Sequence, residues 1–201
     1  MSIRRAGFPF LALLALAAVG ASAAHGPPAD RLTRHASQDR APDWSPDGGA
    51  IVFASDREGQ WDLYTVDPET GATARLTESA ANERYPVWSP SGDRVLYLSD
   101  RDDRTDLWVL DLASRATERL TDDASEETPA DWTPDGLGIV FAVAPPEIGG
   151  PWRIETLDLE SRERRTLLVE RYRALWPRFD GDGGALAFFS RRDTGGEDDE
   201  I

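Results

Sequence analysis

Cysteine and lysine are both missing from this chain of 201 residues, and histidine occurs only at His25 and His35. The absence of cysteine excludes disulfides, a cysteine nucleophile and a cysteine-ligated zinc site. The sequence also lacks a Gly-x-Ser-x-Gly nucleophile elbow, a Walker loop and a dinucleotide-binding glycine motif. We therefore expect no catalytic residues, no metal site and no cofactor in this chain.

Positive charge is scarce. The chain has 37 acidic residues against 22 basic ones, all of them arginine, and its formal net charge is −15. A strongly anionic surface repels the phosphate backbone of DNA and RNA. The composition therefore argues against nucleic acid as a partner.

The N-terminus has the pattern of an export signal. Arg4 and Arg5 precede an apolar run over residues 8–20, which is too short to span a bilayer, and Ala21-Ser22-Ala23 follows it. This pattern predicts a secretory signal peptide over residues 1–24 and a mature chain over residues 25–201, located in the periplasm or secreted, without stable membrane insertion. The alternative is an uncleaved N-terminal membrane anchor.

A triplet recurs along the rest of the chain at a fixed interval. Arg31-Leu32-Thr33, Arg75-Leu76-Thr77 and Arg119-Leu120-Thr121 are each 44 residues apart, and a weaker copy begins at Thr166. A catalytic motif usually occurs once, whereas a motif that returns at a fixed interval is usually a structural unit.

Each repeat has the same internal order, starting from an aromatic residue. The first repeat has Trp44, then the turn Ser45-Pro46-Asp47-Gly48, then a buried apolar run at residues 51–53 and an alternating run at residues 62–67. The equivalent aromatic residues are Trp88, Trp132 and Phe179. This order predicts four short antiparallel strands in each repeat. Four-stranded sheets of this size bury both faces by packing around an axis, so the fold class is an all-β propeller.

The repeat pattern resembles the WD40-like repeat of TolB-like β-propellers, with units that start near residues 31, 75, 119 and 166. The resemblance implies an exported platform that binds proteins. It also implies two other roles found in the family: the substrate-gating domain of prolyl oligopeptidase-like enzymes, and action on oligosaccharides in a few relatives.

The number of blades departs from that family. The repeats predict three complete blades, over residues 37–77, 81–121 and 125–168, and a partial fourth blade with two strands. Three interpretations remain open: a four-bladed ring with a gap, an oligomer that completes the propeller, or a piece of a longer protein.

Several polar and aromatic residues recur in register. Arg57 and Arg101 are each followed five residues later by an aspartate, Asp62 or Asp106, which predicts two ion pairs that brace a loop. Trp61 and Trp152 occupy equivalent positions beside that loop, where blade packing is favoured over ligand stacking. Asp180 and Asp182 occupy the turn position of the fourth repeat, so a plain turn is favoured there over a cation site.

Loop length differs between the two rims of the predicted propeller. One rim has long charged loops, where binding residues concentrate, and the other has tight turns. The candidate binding residues are Arg57, Arg84, Arg101, Arg104, Trp61 and Trp152. The arginines suit a carboxylate or an acidic peptide. We expect an exported, non-catalytic module that binds a protein or peptide; the alternative is the N-terminal propeller portion of a hydrolase or carbohydrate-active enzyme.

Overall fold

The structure is a computed structural model that describes residues 31–101, 104–122, 127–145, 147 and 149–190. The predicted signal peptide and the end of the predicted fourth blade lie outside these residues. The chain divides into two units, Met1–Arg31 and Leu32–Ile201, and every strand belongs to the second.

In the described residues, fourteen strands form four antiparallel sheets, which we call blades 1 to 4 in chain order. Blade 1 contains β1 (Asp39–Trp44), β2 (Ile51–Ser55), β3 (Asp62–Val66) and β4 (Thr73–Arg75). Blade 2 contains β5 (Glu83–Trp88), β6 (Arg94–Ser99), β7 (Asp106–Asp111) and β8 (Thr117–Arg119). Blade 3 contains β9 (Asp131–Trp132), β10 (Gly138–Val143), β11 (Trp152–Asp158) and β12 (Arg164–Glu170), and blade 4 contains β13 (Ala174–Phe179) and β14 (Leu186–Ser190).

Each complete sheet has its strands in sequence order, as the repeat predicts. The predicted propeller of three four-stranded blades and a partial fourth is therefore confirmed. In the described residues, no helix is long and apolar enough to cross a membrane.

The turn after each recurrent aromatic residue is built by its own side chains. In blade 1, the backbone N–H of Gly48 donates to the carbonyl of Ser45 at 2.9 Å, and Asp47 accepts a bond from the Ser45 hydroxyl at 2.6 Å. Gly48 has φ of 74°, a conformation that glycine adopts without steric cost. The prolines of these turns lie against the turn of the next blade. The ring of Pro46 in blade 1, for example, lies beside the Cα atom of Gly92 in blade 2. The turns of neighbouring blades are thus stacked on one rim.

The hydrophobic core lies between blades. Val52, Ala54 and Leu63 of blade 1 pack against Val95 and Tyr97 of blade 2. Equivalent clusters join blade 2 to blade 3 and blade 3 to blade 4. Full burial of one such aliphatic side chain stabilises a protein by about 1.5–3 kcal/mol. The periodic apolar residues therefore hold one blade to the next.

Candidate functional site

The inner strands of blades 1, 2 and 4 share an unusual backbone feature. Ala41, Tyr85 and Trp176 have φ of 49°, 54° and 50°, and each of them precedes a proline. The strand register shifts at the same places, so each inner strand carries a β-bulge. Positive φ is strained for a bulky residue such as tyrosine or tryptophan. Strained backbone of this kind is concentrated at functional sites, where the surrounding structure maintains it.

The bulges face one another across a cavity of about 400 Å³, which we call the funnel. Tyr85 and Trp176 line it and keep 44% and 53% of their surface exposed. The remaining lining comes from the inner strands of all four blades and from the two residues before β9: Ala41, Pro42, Asp43, Pro86, Val87, Pro129, Ala130, Asp131, Pro177 and Arg178. Two exposed aromatic rings therefore stand in a concave surface to which every blade contributes.

Polar contacts join the inner strands around the funnel. The carboxylate of Asp43 accepts a hydrogen bond from the backbone N–H of Trp88 at 2.8 Å, and burial raises the pKa of Asp43. Arg178 of blade 4 pairs with Asp131 of blade 3 at 2.6 Å, and this hydrogen bond raises the pKa of Arg178. These contacts hold the strained segments at fixed positions relative to one another.

A second cavity, of about 500 Å³, adjoins the funnel; we call it the Trp61 cleft. Its lining residues are Arg40, Ala41, Ala54, Trp61, Arg84 and Tyr85, so Ala41 and Tyr85 line both cavities. The guanidinium carbon of Arg40 lies 5.2 Å from the centroid of the Trp61 ring, and that of Arg84 lies 6.0 Å from it. Two cationic side chains from different blades thus converge on one aromatic ring.

Two of the predicted site residues, Trp61 and Arg84, come together in the Trp61 cleft. Arg104 is exposed in the loop before β7. Trp152 is partly buried against Ala142, Ile154 and Ala174, where blades 3 and 4 meet. This position agrees with the packing interpretation of Trp152 and separates it from both cavities.

The predicted ion pairs Arg57–Asp62 and Arg101–Asp106 are wrong. Arg57 pairs with Asp39 at 3.3 Å and stacks on the ring of Tyr64, whereas Asp62 pairs with Arg75 at 2.7 Å. Blade 2 repeats this arrangement with the pairs Arg101–Glu83 and Arg119–Asp106. Asp62 and Asp106 are fully buried and face the outer strand of their own blade, so their partner is the arginine of the Arg-Leu-Thr triplet. Proximity in sequence suggested Arg57 as the partner of Asp62. Arg75 is farther away in sequence, but the pairing of β3 with β4 brings it next to Asp62.

The turn of the fourth repeat has the predicted form. Asp180 accepts a hydrogen bond from the backbone N–H of Ala185 at 3.0 Å, and Asp182 accepts one from that of Gly184 at 3.1 Å. Among the residues that the structure describes, no group of three or more His, Asp or Glu side chains is arranged to hold a metal ion.

Arg40, Tyr85 and Trp176 were not among the binding residues predicted from the sequence. The sequence does contain a signal for these positions. Arg40 and Arg84 are 44 residues apart, and each begins an Arg-x-Pro sequence; Trp176 also precedes a proline. The repeated residue-proline pair marks the bulge, and only the bulge shows which side chains enter the funnel.

Comparison with known proteins agrees with this architecture. Residues 22–101 match the family model of the TolB beta propeller domain. A crystal structure of TolB from Acinetobacter baumannii matches 81% of this chain with a TM-score of 0.71 and 24% identity, and the matched part is 40% of that chain. A putative TolB from Agrobacterium tumefaciens matches 69% of this chain and 51% of its own, with a TM-score of 0.60 and 24% identity. The fold is thus that of a TolB-like β-propeller, as the repeats predict.

Enzymes share the fold as well. An oligogalacturonate lyase from Vibrio parahaemolyticus matches 80% of this chain and 49% of its own, with a TM-score of 0.66 and 17% identity. No curated protein sequence matches the chain. This chain spans about half or less of each solved structure named here. Its similarity to those structures concerns the fold.

Proposed function

We propose that this protein is an exported, non-catalytic propeller module that binds a protein or peptide in the funnel. The observation that carries the proposal is the pair of exposed aromatic rings, Tyr85 and Trp176, held on strained backbone in a concave surface. Tyrosine, tryptophan and arginine are the residues that contribute most binding energy at protein interfaces. The TolB-like fold supports the same role.

A photo-crosslinking residue placed at position 85 tests the proposal in the producing cell. We expect a specific adduct from position 85 and none from position 137. Leu137 is a suitable control because it is 64% exposed and lies outside both cavities. Equal labelling from both positions, or none from position 85, would refute a partner in the funnel.

The variant Tyr85→Gly separates binding from folding. Glycine adopts positive φ without steric cost, so this change removes the ring and relieves the backbone. We expect binding of the crosslinked partner to fall by about tenfold or more, as at interface hot spots, with the melting temperature unchanged or raised. Full binding by Tyr85→Gly and Trp176→Gly together would contradict the proposal.

Export follows from the predicted signal peptide over residues 1–24, and we propose a periplasmic or secreted location. The mass of the protein recovered from the periplasm or the medium tests this. Loss of a fragment ending near residue 24 supports export with cleavage, whereas a full-length, membrane-associated chain supports the uncleaved anchor.

We also propose that blade 1 packs against a second copy of this chain. Its outward face exposes Trp44 beside the buried cluster of Ile51, Phe53, Tyr64 and Val66. In the described residues, Leu32 packs against that cluster and the guanidinium of Arg57 lies over the rings of Phe53 and Tyr64. The equivalent residues of blade 2 are covered by blade 1. A sheet of the same repeat type therefore fits this outward face, where it would cover the exposed ring of Trp44.

Sedimentation velocity tests the association. We expect a dimer or higher oligomer that dissociates in Trp44→Glu and persists in Leu137→Glu, which places the same charge on another exposed apolar residue. A monomeric wild-type chain at all accessible concentrations would overturn this part of the proposal.

A further inference from the structure

Arg40 and Arg84 bring two like charges to the Trp61 cleft. Within the described residues, neither Arg40 nor Arg84 lies within 4.0 Å of a carboxylate, and Arg40 donates instead to the neutral side chain of Gln38 at 2.6 Å. Arg57, Arg75 and Arg101 each have an acidic partner.

The geometry of the cleft brings these charges together. Arg40 lies on β1 and Arg84 on β5, at equivalent positions of neighbouring blades, and Trp61 lies between them at the end of the loop before β3. The N–H of Trp61 donates to the side chain of Asn82 at 3.3 Å, and its carbonyl accepts from the N–H of Glu83 at 2.7 Å. These bonds fix the backbone of Trp61 relative to blade 2, and its side chain packs against the core cluster shared by blades 1 and 2.

The chemistry of the cleft suits a carboxylate. A planar guanidinium binds a carboxylate through two parallel hydrogen bonds, and two guanidinium groups provide several donors for a single anion. Trp61, Ala41 and Ala54 supply apolar walls for the carbon atoms that carry the carboxylate. Because Ala41 and Tyr85 line both cavities, the cleft adjoins the funnel in which we propose that the peptide binds.

We propose that the Trp61 cleft binds a carboxylate of the peptide partner, with Arg40 and Arg84 as the anion-binding residues and Trp61 as the platform. This inference rests on the proposed function, and it identifies the partner by its chemistry as a peptide that presents a terminal or side-chain carboxylate.

Nuclear magnetic resonance of the full chain with ¹⁵N-labelled arginine side chains tests the cleft. The probe is the dipeptide acetyl-Ala-Phe with a free carboxylate, titrated beside the same dipeptide as its C-terminal amide. We expect saturable shifts of the Arg40 and Arg84 Nε–H signals with the carboxylate and none with the amide. Equal shifts with both, or none with either, would overturn the proposal.

Two further probes identify the source and the class of the anion. Acetyl-Asp-amide offers only a side-chain carboxylate, so shifts with this probe support an acidic residue, and shifts confined to acetyl-Ala-Phe support a C-terminus. Inorganic phosphate is the third probe. Saturation by phosphate without saturation by either carboxylate would overturn the assignment of the ligand class.

Substitutions link the signals to the residues. We expect Arg40→Gln and Arg84→Gln each to weaken carboxylate binding by about tenfold, because each removes a charged donor. Arg165→Gln is the matched control, since Arg165 is exposed and pairs with Glu163 on the outer part of blade 3. Unchanged affinity in both cleft variants, with folding intact, contradicts the proposal.

The dipeptide assay is independent of the funnel test. A failure with both carboxylates leaves the adduct at position 85 standing, and then only the cleft assignment is lost. A missing adduct at position 85 removes the proposed function, even where the cleft binds the dipeptide.

Discussion

The backbone N–H of Trp88 donates a hydrogen bond of 2.8 Å to the carboxylate of Asp43, so the inner strands of blades 1 and 2 are joined beside the funnel. Asp43→Ala leaves this partly buried N–H without its acceptor, and we expect a loss of about 1–3 kcal/mol in the free energy of unfolding. Asp43→Asn keeps an acceptor oxygen and is the matched control. Equal denaturant midpoints for the two variants would show that this bond does not hold the blades together.

The raised pKa of Asp43 predicts a pH dependence. Burial is the main cause, and it lifts the pKa of Asp43 in the folded protein above the ordinary value of 3.8. Between these two values the folded chain binds more protons than the unfolded chain, so the contribution of Asp43 to stability falls as pH rises through that window. We therefore expect Asp43→Asn to gain stability relative to the wild type as pH rises above 3.8, measured by urea melts.

Asp47 provides a control of opposite sign. The hydroxyl of Ser45 donates to its carboxylate and lowers its pKa below 3.8. A lowered pKa contributes stability that is present at higher pH and is lost as pH falls. Asp47→Asn should therefore lose stability relative to the wild type as pH rises through the window below 3.8, and the difference should stay constant at higher pH. The same slope for both variants would contradict the assignment of these pKa directions.

The recurrent tryptophans predict a ranking of stability. Trp132 is 4% exposed and donates from Nε1 to the carbonyl of Val87 at 3.2 Å, whereas Trp88 is only half-buried between blades 1 and 2. We expect Trp132→Ala to cost about 3–5 kcal/mol and Trp88→Ala about 2–4 kcal/mol. Leu137→Ala, at an exposed position, should change stability by no more than about 0.5 kcal/mol. Guanidinium melts measure all three, and a cost below about 1 kcal/mol for Trp88 is incompatible with packing between blades.

A double-mutant cycle tests the corrected ion pairs. Arg75→Ala leaves the fully buried Asp62 without its partner, and we expect a cost of about 3–5 kcal/mol, because an uncompensated buried charge is strongly destabilising. Asp62→Asn in the same chain should recover part of that cost, which gives a coupling energy of about 0.5–3 kcal/mol. The cycle Arg57→Ala with Asp62→Asn should show the smaller coupling. A larger coupling energy for Arg57 with Asp62 than for Arg75 with Asp62 would support the pairing predicted from the sequence.

The sequence by itself determined the architecture. Spacing of 44 residues between triplets, an aromatic residue before each Pro-Gly turn and apolar runs of strand length are local signals, and each acts within one repeat. The strands formed where those signals lie, from β1 to the two-stranded sheet of β13 and β14. Trp152 also lies in the packing position that its place in the repeat indicates.

Only the tertiary structure decided the site. Arg40, Trp61 and Arg84 meet because two blades pack side by side, and the partner of Asp62 is Arg75 because β3 and β4 pair antiparallel. The bulges at Ala41, Tyr85 and Trp176 have a positive φ, which places these residues at the funnel. Residue type does not predict this φ, because none of the three is a glycine. Periodicity encodes which residues face a neighbouring blade, whereas the convergence of side chains from several blades depends on how the sheets are arranged around their axis.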